Sequence, residues 1–139
     1  MKRTLALFLA LFTFSFSASS TAIDYVNDSI GVTRYSYIYQ LNCSTDIPND
    51  EVYARISPRP LSTNSAYVFV ELLRFDGSTW VVEDTWEDSS GAGEAATVDG
   101  LYPFLSGRTY KVRATGYIYD SQGNLLEWDQ IENSPSTKS

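Results

Sequence analysis

The sequence predicts an all-β fold, an antiparallel sandwich of about seven strands, on three observations. Beyond residue 32, about seven segments rich in Val, Ile, Thr and aromatics alternate with turn clusters. In the mature chain no window of helical length shows convincing apolar spacing at i, i+3, i+4, i+7. Asp76-Gly77-Ser78 separates two alternating apolar runs, which is a strong hairpin signal.

The chain opens on what reads as an export signal. Lys2 and Arg3 form a positive start, Leu5 to Phe16 is an apolar stretch broken only by Thr13 and Ser15, and Ser20-Thr21-Ala22 has the small-x-small pattern of a cleavage site. Spanning hydrocarbon takes roughly 20 apolar residues, so the short stretch reads as a cleaved signal rather than an anchor. Cleavage near Ala22 predicts a secreted mature chain with no membrane span. Residues 1–22 are therefore the signal peptide, 23–132 a single sandwich domain, and 133–139 a polar, frayed tail.

Each strand follows from alternation. Thr33 to Cys43 alternates strictly, with Tyr35, Tyr37, Tyr39, Leu41 and Cys43 sharing one face. Val52 to Ser57 groups Val52, Ala54 and Ile56, and Pro58 and Pro60 forbid its extension. Ala66 to Phe75 and Thr79 to Trp86 flank the hairpin turn, and residues 87–95 read as a loop. Ala95 to Asp99 is a short strand. Thr109 to Tyr119 is a long one, turned by Asp120 to Asn124 into Leu125 to Ile131. The length and strand spacing match an immunoglobulin-like sandwich.

Two resemblances support that architecture. The run Leu105-Ser106-Gly107-Arg108-Thr109-Tyr110-Lys111-Val112-Arg113-Ala114 resembles the corner entering strand F of fibronectin type III domains, where a tyrosine opens an alternating strand. That resemblance implies a structural role for Tyr110: ring in the core, hydroxyl bonded to the backbone between Leu105 and Gly107. Leu73, Gly77 and Trp80, then Gly107, Tyr110, Val112 and Ala114, then Gly123 and Glu127, are similar to the pattern of a family of small secreted bacterial proteins of unknown function. This second resemblance implies export and a β-sandwich, and no activity.

Composition narrows the chemistry. The sequence has no histidine and one cysteine, Cys43, which removes Ser-His-Asp and Cys-His nucleophile arrangements, histidine metal sites and an internal disulfide. The net charge is −7, and loss of Lys2 and Arg3 with the signal leaves 8 basic against 17 acidic residues, net −9. Such a surface disfavours nucleic acid, which needs a basic footprint. Glu83, Asp84, Glu87, Asp88 and Glu94 invite a calcium site or a glycosidase carboxylate pair, but their spacing fits no EF-hand, and they read as a solvated loop. No catalytic residue, metal site or cofactor is expected.

What remains is a face. Putting Val68, Val70 and Leu72 inside sends Tyr67, Phe69, Glu71 and Leu73 out. Putting Tyr110, Val112, Ala114, Gly116 and Ile118 inside sends Lys111, Arg113, Thr115, Tyr117 and Tyr119 out. Parity also places Trp80 in the core with Val82, leaves Trp86 as the more exposed tryptophan, and turns Leu126 and Trp128 in with Glu127 and Asp129 out. In immunoglobulin order these strands lie side by side, so Lys111 and Arg113 fall between Glu71 and Glu83 on one side and Glu127 and Asp129 on the other. Beside them, Tyr67, Phe69, Tyr117 and Tyr119 form an aromatic row on the outer sheet face, the expected binding surface. The function expected is a secreted, non-enzymatic interaction module with a protein or glycan partner outside the cell, or alternatively a carbohydrate-binding module using exposed aromatics.

Overall fold

A computed structural model describes residues 35–139. The expected signal peptide, the lead-in and the start of the first expected strand lie outside the described residues. Eight antiparallel strands follow: β1 (Ile38–Asp46), β2 (Glu51–Pro58), β3 (Ser65–Phe75), β4 (Trp80–Ser89), β5 (Ala96–Leu101), β6 (Thr109–Tyr119), β7 (Leu125–Glu132) and β8 (Ser136–Thr137). They form two open sheets, a small one ordered β1-β2-β5 and a large one ordered β4-β3-β6-β7, with β8 also on β6. The large sheet has the spatial order expected of an immunoglobulin-like sandwich. Among the described residues, no helix is long and apolar enough to cross a membrane.

The core lies between the sheets and is built from period-2 rows. Val52, Ala54 and Ile56 of β2 face Val68, Val70 and Leu72 of β3 and Val112, Ala114 and Ile118 of β6, all buried in one cluster. Each fully buried aliphatic side chain contributes roughly 1.5–3 kcal/mol of transfer free energy. Gly116 lets the sheets close: a Cβ there would run into Ile56.

Tyr110 anchors one end of the sandwich. It is 0% exposed, and the Leu105 N–H donates to its hydroxyl oxygen at 3.1 Å. Phe104 packs edge-on to its ring at 4.9 Å and Tyr102 at 5.9 Å. This is the tyrosine-corner geometry that the run from Leu105 to Ala114 implies.

Three bulges correct the parity expected of the edge strands. In β1, Ile38 pairs with Pro58 and Gln40 with Ser57, so Tyr39 is the extra residue. Ile38 and Leu41, three apart, are both buried while Tyr37 and Tyr39 are exposed, which breaks the strict alternation expected there. Between β3 and β4, Leu72 opposes Asp84 but Leu73 opposes Val82, leaving Glu83 as the insertion. Trp86 therefore packs against the core, opposite Val70 and over Gly100, while Trp80 and Val82 turn outward, with Val82 48% exposed. The expected roles of these two tryptophans are exchanged. Between β6 and β7, Ile118 opposes Glu127 but Tyr119 opposes Leu125, and Leu126 is the insertion. Trp128 consequently faces out, at 53% exposure, and Glu127 and Asp129 turn in.

The tail is docked rather than frayed. β8 continues along the edge of β6, pairing Thr137 with Thr109 and Ser136 with Tyr110. Lys138 exchanges backbone hydrogen bonds with Gly107 and Arg108, and its ammonium pairs with Asp50 at 2.8 Å. The segment from Glu87, expected as the start of a loop, stays in β4 through Ser89.

Candidate functional site

The central strands β3 and β6 pair without interruption, so their outward rows fall in register. Tyr67 opposes Tyr117, Phe69 opposes Thr115, Glu71 opposes Arg113 and Leu73 opposes Lys111. The bulge in β7 then places Trp128 directly across from Tyr117. A row of three aromatics, Tyr67–Tyr117–Trp128, crosses three strands perpendicular to the chain direction. Ring centroids are 5.7 Å apart for Tyr67–Tyr117 and 6.4 Å for Tyr117–Trp128. Strands about 4.8 Å apart set this spacing. Tyr119, next outward on β6, lies 6.4 Å from Tyr117.

The rings are aligned as well as adjacent. Tyr119 and Trp128 lie within 21° and 24° of the Tyr117 plane, and Tyr67 is tilted by 43°. Phe69 shares the face, two residues along from Tyr67. Of the expected row, Tyr67, Tyr117 and Tyr119 are brought together by touching rings. Trp128 is the member that sequence reasoning assigned to the core; no local signal marks the Leu126 bulge that exposes it.

Polar groups border the row. The Tyr67 hydroxyl donates to Glu87 at 2.6 Å, and the Gln130 amide donates to Thr115 at 2.9 Å. Burial, with the Glu87 carboxylate behind it, pushes the Tyr67 phenol far above its ordinary range. Burial likewise raises Tyr117. Both phenols are therefore neutral donors across the physiological range.

The expected charge ladder exists with changed members. Arg113 binds Glu71 at 2.7 Å, Lys111 binds Glu132 at 2.7 Å, and Arg113 also approaches Glu132 at 3.9 Å. Glu132 replaces Glu127 and Asp129, which the β7 bulge turns inward. Glu83, expected beside Lys111, instead pairs with Arg74 and accepts the Tyr102 hydroxyl at 3.1 Å. Trp80, expected in the core, sits on the outer face with the Lys111 ammonium 4.5 Å from its ring centroid and Phe75 at 5.3 Å. Leu73 has outward parity yet is only 2% exposed, outside the inter-sheet cluster.

Glu127 has a structural task in its new position. Its carboxylate accepts three consecutive backbone N–H groups, Ser36 at 3.0 Å, Tyr37 at 2.8 Å and Ile38 at 2.6 Å. The Tyr35 hydroxyl bonds Asp129, and Arg59 bonds the Tyr35 and Ser36 carbonyls, the latter at 3.1 Å. β7 thereby clasps the entry to β1 and ties the two sheets together.

The acidic cluster does not converge. Glu83 serves Arg74, Glu87 serves Tyr67, and Asp88 accepts the Thr97 N–H at 2.9 Å from the inner side of β4. Among the described residues, no group of three or more acids and thiols is placed to hold a metal ion. Asp120 accepts the Gln122 and Asn124 N–H groups at 2.9 and 2.8 Å and works as a turn residue. Cys43 packs against the core, its thiol directed at the Val112 carbonyl, and burial raises its pKa to about 11. That places it well away from the reactive thiolate range. No protein-family model matches this chain, and no curated protein is detectably similar to it in sequence.

Proposed function

We propose that this protein is an exported, non-enzymatic β-sandwich module that binds a partner outside the cell through the outer face of its large sheet. The observation that carries this reading is the contiguous ring set Tyr67, Tyr117, Tyr119 and Trp128. Core packing does not use these rings, and a contiguous apolar patch on a sheet face marks an interaction surface where scattered aromatics do not. Export rests on the residue pattern of Met1 to Ala22, and agrees with the resemblance to small secreted bacterial proteins. A non-enzymatic role is supported by the dispersal of Glu83, Glu87 and Asp88, each engaged in a separate structural contact. A second reading, a carbohydrate-binding module, is favoured by the near-parallel setting of Tyr117, Tyr119 and Trp128.

The test is capture from the secreted fraction by immobilised protein, comparing wild type with the pair Tyr117→Ser and Phe69→Ser. The reading expects ligands retained by wild type and lost from the double variant. Ligands retained equally by both would contradict it.

A further inference from the structure

The aromatic face is selective about what can cover it, and three features narrow the choice. The first is shape. The row lies on an open sheet face, whereas clefts occur elsewhere, between Thr45–Pro48 and Ser136–Ser139 and around Tyr53, Asp99 and Gly100 on the small sheet. Small molecules are bound in concave sites that enclose most of their surface, so a flat face suits an extended ligand.

The second feature is charge. Cations on this face are already neutralised: Lys111 by Glu132, and Arg113 by Glu71 and Glu132. No net positive charge is left for an anionic polymer, and the chain carries net −7 overall. A protein partner spreading beyond the row would reach the ion pairs of Glu71, Arg113 and Glu132, two register positions along the sheet past Phe69, Thr115 and Gln130, and burying satisfied ion pairs is unfavourable. Protein interfaces are instead depleted of charge at their centre.

The third feature is the rings themselves. Tyr117, Tyr119 and Trp128 have near-parallel ring planes, and the Tyr67 phenol and the Gln130 amide beside the row are neutral hydrogen-bonding groups. Amphipathic rings of this kind suit a ligand with one apolar face and a wet edge. Sugar rings have that character, with C–H groups on the face and hydroxyls around the edge.

Building on the interaction-face reading above, we propose that the row Tyr67–Tyr117–Trp128 with Tyr119 is a stacking platform for an uncharged polysaccharide. Trp128 is the principal stacking surface because it is the most exposed of the four. Tyr117 holds it in place, since its ring touches all the others. The Glu87 carboxylate, already bonded to the Tyr67 hydroxyl, directs that phenol at the border of the row.

Affinity electrophoresis tests this with the mature protein run through gels containing hydroxyethyl cellulose, xylan or galactomannan, and polygalacturonate as the anionic comparison. Wild type should be retarded by at least one neutral polymer, with retardation preserved at high salt. Trp128→Ala and, separately, Tyr119→Ala should each weaken it by about tenfold or more, as loss of an anchoring aromatic does. Both positions are at the surface, and an unchanged circular dichroism spectrum establishes that the variants fold. Retardation by no neutral polymer, retardation by polygalacturonate alone, or retardation that both variants keep would overturn the proposal. Cross-linking to a secreted protein that depends on Trp128 would also overturn it, while leaving the interaction face intact. Should no ligand of either kind depend on this row, the interaction face itself would fall.

Discussion

The two edges of the large sheet use the same device to opposite ends. On β4 a one-residue bulge at Glu83 turns Trp86 inward over Gly100 and lets Trp80 stand outside against Lys111. On β7 a one-residue bulge at Leu126 sends Trp128 outward onto Tyr117 and brings Glu127 in to hold the start of β1. One edge spends its tryptophan on the core and the other keeps its tryptophan free. The difference shows where selection for packing ends: central strands β3 and β6 fix the interior, while a bulge at each edge decides which large side chain faces out.

Paired substitutions break this comparison most sharply. Trp86→Ala should destabilise by about 2 kcal/mol, because it removes a large, partly buried ring packed against the core, whereas Trp128→Ala should stay within about 0.5 kcal/mol. Urea unfolding of both variants measures the contrast, and equal losses would dissolve the distinction between the edges. Next comes the clasp. Glu127→Ala removes the acceptor of three backbone donors, of which the Ile38 N–H is part-buried, and should cost about 1–2 kcal/mol, while Glu132→Ala, a surface ion-pair partner, should cost less than about 1 kcal/mol. The same unfolding measurement reads it.

Gly100 sharpens the β4 side. A Cβ there would lie 2.7 Å from the Trp86 ring, so Gly100→Ala should cost about 1–3 kcal/mol by overpacking. In a Trp86→Leu background the added cost should largely vanish, and a double-mutant cycle of unfolding free energies measures that coupling.

The smallest effect concerns the turn that leads into β7. The Asn124 side chain first, then the Asn124, Gln122 and Gly123 backbone, hold the Asp120 carboxyl below its ordinary range. A carboxyl depressed in the folded state contributes stability above its unfolded pKa and loses it as pH falls through the folded value. The melting temperature should therefore drop on acidification below about pH 4, and Asp120→Asn should flatten that slope. An identical acid slope in the variant would remove Asp120 from the account.

The sandwich was legible because its central strands obey simple alternation. Val52, Ala54 and Ile56, Val68, Val70 and Leu72, and Tyr110 through Ile118 each occupy the face that parity assigns. Tyr67, Phe69, Tyr117 and Tyr119 followed as the outward complement, and the Tyr110 corner followed from its resemblance to a known strand entry. Trp80, Trp86, Trp128 and Glu127 were misplaced for one reason. A bulge inserts a single residue with no necessary sequence mark, yet it exchanges the faces of every residue beyond it. The strand that looked most regular, Tyr35 to Cys43, was broken in the same way at Tyr39. Docking of the tail was illegible for a different reason, since it depends mainly on backbone pairing with Thr109 and Tyr110, which composition does not report.

All of this turns on which tryptophans face solvent. Fluorine NMR of the protein labelled with fluorotryptophan, titrated with a soluble neutral paramagnetic agent, resolves the three sites separately once each resonance is assigned by single substitution. The Trp128 resonance should broaden most, Trp80 should follow, and Trp86 should be least affected. A Trp86 resonance that broadens as readily as Trp128 would contradict the bulge assignments, and with them the outer aromatic face.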